Sequence, residues 1–322
     1  MSQHPTPVFI LGSGRSGTTI TASLLSHLPR VQFAKETGYI SQNLPLLRDI
    51  DNPGSLKRLV GVVNQWLTRS NSGNLASPEG FDRFCSQYAI QGASAFIHYV
   101  WQLDSPKPWH ELSFIGDNTP LYVLAIPAIQ ALMPDARFIH MIRDPRDVVT
   151  SMLTMRFGAN DPLVAAMDWH IMLGSWLMAE RIVAADRRIE CRYEDLCAMP
   201  EQTVARLARF LNHTDADATA ALVRQSSIGS KLHTGFEKVA VASHHTRLIE
   251  PLAPNRVGRF KTELTSAQIQ AIEEIAQDGM LAYGYKLTGQ REHPLLRENR
   301  IRILRAVISD FTRRCYKHLR RR

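Results

Sequence analysis

The chain is poor in cysteine. Cys85, Cys191, Cys197 and Cys315 are its four, and none stands in a C-x-x-C pair or at metal-ligand spacing. A disulfide framework and a zinc site both lack a sequence basis. Reduced thiols in a reducing compartment are the expectation. The twelve histidines carry no metal signature either, and His244-His245 reads as a loop pair. No apolar run approaches the roughly 20 residues of a membrane span. The N-terminus has no basic segment followed by an apolar stretch, and the run at 8–11 is too short for a signal peptide. A cytoplasmic location follows as the default. No helix-turn-helix, zinc or RNA-recognition pattern is present, so specific nucleic-acid binding is not expected.

An excess of acid is also missing. Lysine and arginine number 38 against 30 acidic residues, for a net charge of +8. Part of that charge is local: Arg297, Arg300, Arg302, Arg305, Arg313, Arg314, Lys317, Arg320, Arg321 and Arg322 crowd the C-terminus. Residues 289–322 therefore read as a basic, amphipathic extension. It is either a solvated tail or a contact for an anionic membrane surface. The remainder, 1–288, is long enough for one large α/β domain with its own core.

The organising stretch is Phe9-Ile10-Leu11-Gly12-Ser13-Gly14-Arg15-Ser16-Gly17-Thr18-Thr19-Ile20. A buried strand, a glycine turn and an apolar-periodic helix follow one another, which is the layout of a phosphate cradle. Gly12 and Gly17 have the spacing of the nucleotide-triphosphatase loop G-x-x-x-x-G-K-[ST], but Thr18 stands where that loop has its lysine. The cation has moved to Arg15, inside the turn. The cradle is kept and the NTPase chemistry is not.

Arg-Ser-Gly-Thr-Thr after a strand resembles the 5′-phosphosulfate loop of sulfotransferases that use 3′-phosphoadenosine-5′-phosphosulfate (PAPS). Arginine at position 15 is similar to the tyrosylprotein and bacterial members. The resemblance covers roughly residues 5–287. It implies a three-layer α/β domain with a central parallel sheet, of the P-loop NTPase-like sulfotransferase fold, and transfer of a sulfuryl group from PAPS to an acceptor hydroxyl or amine. It assigns Gly14, Arg15, Ser16, Gly17, Thr18 and Thr19 to the 5′-phosphosulfate, with Arg15 stabilising the charge of the transfer. Lys35-Glu36-Thr37 matches the Glu-Glu-Thr segment of tyrosylprotein sulfotransferases without gaps, and Glu36 falls on the catalytic base. Arg143-Asp144-Pro145-Arg146, with Ser151 eight residues after Arg143, resembles the 3′-phosphate site, and an arginine fork plus a hydroxyl suits a dianion. Arg146 reads as a structural ion-pair residue. Arg192-Tyr193-Glu194-Asp195-Leu196 implies Tyr193 near the adenosine. Asn118 departs from the pattern, where many members have lysine in Lys-Thr-Pro.

The rest is read more coarsely. Helices are predicted over 18–28, 56–67, 81–103, 121–132, 168–185, 203–211, 215–226 and 265–277. Glu194 and Asp195 read as caps of the helix that follows them. The polar stretch 227–259 offers Ser230, Lys231 and Arg256 as nucleotide or acceptor contacts. His110 and Glu111 stand next in line as bases after Glu36. No metal is expected, because fixed donors take the part of the magnesium clamp of kinases. The acceptor stays open among carbohydrate, lipid, peptide and small metabolite. The rival readings are a P-loop-type kinase or hydrolase and a non-catalytic anion- or membrane-surface-binding protein.

Overall fold

The structure, a computed structural model, describes residues 4–155, 161–212 and 256–288. Among them are five strands: β1 (Thr6–Gly12), β2 (Val31–Ala34), β3 (Phe114–Asp117), β4 (Arg137–Ile142) and β5 (Arg188–Arg192). They pair in parallel in the order β2-β3-β1-β4-β5. Strands buried on both faces read as continuous apolar runs, which is why residues 8–11 lack alternation. Alternate side chains still divide between layers. Phe9, Leu11 and Phe138 join the core under the helices Pro53–Arg69, Gly92–Asp104 and Pro162–Ala179. Val8, Ile10, Ile139 and Met141 join the core under α1 (Thr18–Ser26) and the helix Pro200–Phe210. The result is a three-layer α/β arrangement.

The strand order creates one switch point. The crossover after β1 leads toward β2, and the crossover after β4 leads the other way, to β5. Beyond the carboxyl ends of β1 and β4 a crevice opens, the place where open α/β sheets bind ligands. The register puts Gly12 beside Met141, so the turn after β1 and Arg143 after β4 face each other there.

Several predicted boundaries shift. The stretch 81–103 is two helices, Pro78–Tyr88 and Gly92–Asp104, because Ala89 and Gly92 both adopt left-handed backbone. Residues 121–132 begin as a 3-10 turn, Pro120–Ala125, before the α-helix Ile126–Leu132, whose start accommodates Pro127. The helix predicted from 168 starts at Pro162, capped by the Asp161 carboxylate on the Leu163 amide. Thr265 caps Ser266–Ala282 as expected, in a reciprocal capping box with Gln268. The helix expected at 215–226, together with Ser230, Lys231, His244, His245, Cys315 and the whole stretch 289–322, lies outside the described residues.

Candidate active site

The turn after β1 is shaped by backbone. Gly17 sits at φ +100°, and a Cβ there would come within 2.5 Å of the Tyr193 ring. A Cβ on Gly12 would run into the carbonyl of Met141. The tightness is thus a packing requirement, with β4 on one side and Tyr193 on the other. Arg15 itself takes left-handed backbone, φ 68°, at the tip of the turn. Ser16 is fully buried and its hydroxyl donates back to the Ser13 carbonyl at 2.6 Å. Its amide donates to the same carbonyl at 3.2 Å, so both donors of Ser16 brace the loop.

Arg15 and Ser151 meet across the switch point, with Arg15 Nε donating to Ser151 Oγ at 3.2 Å. Arg143 joins them: Nη1 donates to the Arg15 carbonyl at 3.1 Å and Nη2 to the Arg256 carbonyl at 2.8 Å. The Arg143 guanidinium lies 4.3 Å from the Tyr193 ring centre, and Trp169 Nε1 donates to the Arg143 carbonyl at 3.0 Å. Arg143 forms no ion pair with Asp144. That acid instead accepts from Arg146 Nη2 at 2.6 Å, and Arg146 Nη1 reaches Glu273 at 2.6 Å. Arg146 is structural, as its sequence reading holds.

Glu36 follows β2. Thr19 Oγ1, on the first turn of α1, donates to Glu36 Oε1 at 3.2 Å. Thr19 thus serves the carboxylate as well as standing in the loop. Protein crowds Glu36 on the sheet side, and this desolvation raises its pKa to about 7. The Thr19 hydrogen bond opposes the rise, the Asp117 carboxylate adds to it, and Arg15 opposes it. Glu36 also reaches solvent at the crevice mouth, so water moderates the shift until a ligand covers it. His110 and Glu111 lie in a 3-10 turn leading into β3, at the amino end of the parallel strands, whereas Glu36 lies beyond the carboxyl end of β2.

Three groups escape the sequence reading. Asp147 accepts from the Gly258 amide at 2.7 Å and the Phe260 amide at 3.1 Å, tying residues 256–260 over Arg143. Trp66 Nε1 donates to the Glu36 carbonyl at 2.9 Å. Asp117 is fully buried behind Glu36. Only the aspartate inside Arg-Asp-Pro-Arg-Asp had a local signal. Glu194 and Asp195 stand in the first turn of their helix, as predicted; Glu194 also accepts from the Asp144 amide at 2.9 Å and from Tyr285 at 3.0 Å, steadying the turn that carries Arg143. Asn118 is fully buried with neither end of its amide hydrogen-bonded.

No described helix is long and apolar enough to cross a membrane. Comparison with known proteins agrees with this architecture. The sulfotransferase domain of the Synechococcus PCC 7002 olefin synthase superposes with a TM-score of 0.58 at 20% identity, over 88% of this chain and 96% of that one. The sulfotransferase domain of the curacin biosynthetic pathway gives 0.55 at 18% identity, over 88% and 99%. In sequence, protein-tyrosine sulfotransferase 1 of Danio rerio is 24% identical over 237 residues, 72% of this chain and 59% of that protein. The protein-tyrosine sulfotransferase of Drosophila melanogaster is 22% identical over 274 residues, 84% of this chain and 50% of that protein. The chain thus spans between half and two thirds of these relatives. The profile described as "Sulfotransferase family" matches residues 7–217, some two thirds of the sequence and the part that holds the loop, Glu36, Arg143 and Tyr193. The chain belongs to the sulfotransferase family.

Proposed function

We propose that this protein transfers a sulfuryl group from PAPS to a hydroxyl on a peptide or protein, with tyrosine the first acceptor to try. One observation carries the reading. The carboxylate and the anion loop are joined through Thr19, at 3.2 Å from Glu36, so a base stands at the mouth of a phosphate cradle. The names of the sequence relatives support the peptide acceptor.

The residues suit a doubly phosphorylated nucleotide. Ser13 Oγ and Arg143 Nε are buried polar atoms without partners, an uncommon state that an anion's oxygens would relieve. Arg143 and Ser151 would hold the 3′-phosphate, Tyr193 would lie beside the adenosine, and Gly14 to Thr19 would cradle the 5′ end. When bound, PAPS supplies a sulfuryl group on a phosphate that leaves. Glu36 accepts the acceptor's proton while the new O–S bond forms and the S–O bond to phosphate breaks. Arg15 and the loop amides stabilise the electron pair left on that phosphate. These fixed donors take the part a magnesium ion plays in kinases. The buried free thiols Cys191 and Cys197 suit a reducing, cytoplasmic setting. Residues 1–288 form the catalytic domain, and the basic stretch 289–322 would touch an anionic membrane surface.

Calorimetric titration with 3′-phosphoadenosine-5′-phosphate tests the donor site, against magnesium ATP as control. Transfer of labelled sulfate from PAPS to a tyrosine peptide tests the reaction. Tight binding of the bisphosphate and labelled peptide are the expected results. A preference for magnesium ATP would return the protein to the kinase class.

A further inference from the structure

Asp117 ends β3, and its hydrogen-bond partners are Thr119, on the turn that follows it, and Thr37, next to Glu36. Thr119 contributes its amide, at 2.8 Å, and its hydroxyl, at 2.6 Å, both to Oδ1. The Thr37 hydroxyl donates to Oδ2. A threonine hydroxyl has one hydrogen, so the 2.8 Å contact between Thr37 Oγ1 and Tyr122 OH requires tyrosine to be the donor. Tyr122 OH in turn accepts from the Ile40 amide at 3.2 Å. A second relay runs from the Gly38 amide to Thr119 Oγ1 at 3.1 Å, and thence to Asp117. Two chains of donors therefore run from the backbone just after Glu36, Gly38 N–H and Ile40 N–H, and both end on one carboxylate. Bonds aligned in this way polarise one another in a dry interior.

We propose that Asp117 is a positioning residue for Glu36: as the common acceptor of both relays it fixes the turn at residues 37–40, and with it the place of the Glu36 carboxyl. The inference rests on the reading of Glu36 as the base. Arg15 from the loop and the Thr19 hydroxyl from α1 favour the carboxylate, whereas Asp117 from β3 disfavours it. Lys35 is engaged with Asp104 at 3.4 Å, and Trp66 meets only the Glu36 carbonyl. Tyr39 and Tyr122, the titratable neighbours of Asp117, are held neutral by burial. Burial raises the Asp117 carboxyl to about 6, and the Thr119 and Thr37 donors oppose that rise by favouring its ionised form. Asparagine at 117 cannot replace it. Its amide would point a donor at Thr37 Oγ1, which the relay needs as a donor, and the charge would be gone.

The test uses the full chain with 3′-phosphoadenosine-5′-phosphate bound, and glutamate labelled with 13C at the carboxyl. Glu36→Gln assigns the Glu36 signal, and its titration is followed in wild type, Asp117→Asn and Thr37→Val. Expected for Asp117→Asn is a Glu36 midpoint lowered by on the order of half a pH unit. Turnover at the pH plateau should also drop about tenfold, with an unchanged affinity for the bisphosphate. Thr37→Val breaks one relay but leaves a carboxyl at 117, so its plateau should drop while the Glu36 midpoint falls by less than in Asp117→Asn. An unchanged midpoint in Asp117→Asn, or an unchanged plateau in both variants, overturns the proposal. If Asp117→Asn does not fold, Thr37→Val and Tyr122→Phe decide, because each breaks one link of the relay; full turnover in both is fatal to it. Should Glu36→Gln itself turn over normally, the base reading fails while the carboxyl titration still reports the coupling to Asp117.

Discussion

Arg15 and Ser151 are 136 residues apart in the chain and in hydrogen-bond contact at 3.2 Å. The contact closes the crevice between the turn after β1 and the helix Pro145–Leu153 after β4. It means that the two anion sites expected from the sequence are one continuous surface. Ser151→Ala should raise the KM for PAPS about tenfold, one lost hydrogen bond to a charged group. Steady-state kinetics check this, with an unchanged melting temperature as the control for folding.

Arg143 and Arg146 should separate cleanly. Both are buried, but Arg143 spends its donors on two carbonyls of the site, and Arg146 is locked between Asp144 and Glu273. Arg143→Ala is expected to weaken binding of 3′-phosphoadenosine-5′-phosphate by roughly 100-fold, two charge-assisted hydrogen bonds. Arg146→Ala should instead destabilise the fold by about 3–5 kcal/mol, because it strands two buried carboxylates. Titration calorimetry and urea unfolding on both variants read the two effects. A binding loss without unfolding in Arg146→Ala would reverse the assignment.

The acid limb of the pH–rate profile belongs to Glu36. A base must be unprotonated to work, so kcat, which reports the ligand-covered site, should climb tenfold per pH unit and level off above about 7, the value to which burial raises this carboxyl. Thr19→Val removes a hydrogen bond that favours the carboxylate, and the limb should move to higher pH. Glu36→Ala should cost roughly 100- to 10,000-fold in turnover and leave bisphosphate binding in place. A profile with no limb between pH 6 and 8 would point to another base.

Lys107 anchors α1 from below. Its ammonium donates to the carbonyls of Ser26, Leu28 and Val31 at 2.8, 3.0 and 2.7 Å, at the carboxyl end of α1 and the entry to β2. A cation there answers the helix dipole and the orphan carbonyls together. Lys107→Met should lower stability by about 2 kcal/mol, seen as a fall in melting temperature. Activity of the folded fraction should be unchanged, since the residue lies at the end of α1 away from the loop.

How much of this was legible in the chain follows from the range of each signal. The glycine turn announces itself because its backbone requirement is local: Gly12 at φ +144° and Gly17 at φ +100° take conformations that favour glycine. The parallel sheet is legible from the doubly buried runs at 8–11 and 138–142. Arg143 and Ser151 are legible because one strand–turn–helix unit spaces them. The break at residues 89–92 was hidden, since the apolar period continues across a left-handed alanine. The place of Glu194 at a helix start was legible, but its second role was not, because only the fold brings the Asp144 amide to it.

The sequence by itself determined the elements, the anion loop and the residue types of the chemistry, since these depend on neighbours within a few turns of chain. Tertiary structure alone decided their relations. Strand order β2-β3-β1-β4-β5 placed the switch point between β1 and β4, and so set Arg15 against Ser151 and Arg143. The pairing of β2 with β3 in register, Ala34 beside Asp117, put a buried carboxylate behind Glu36. The physical reason is that burial and charge coupling act through space, between residues 80 apart in the chain such as Thr37 and Asp117, and no local pattern encodes them.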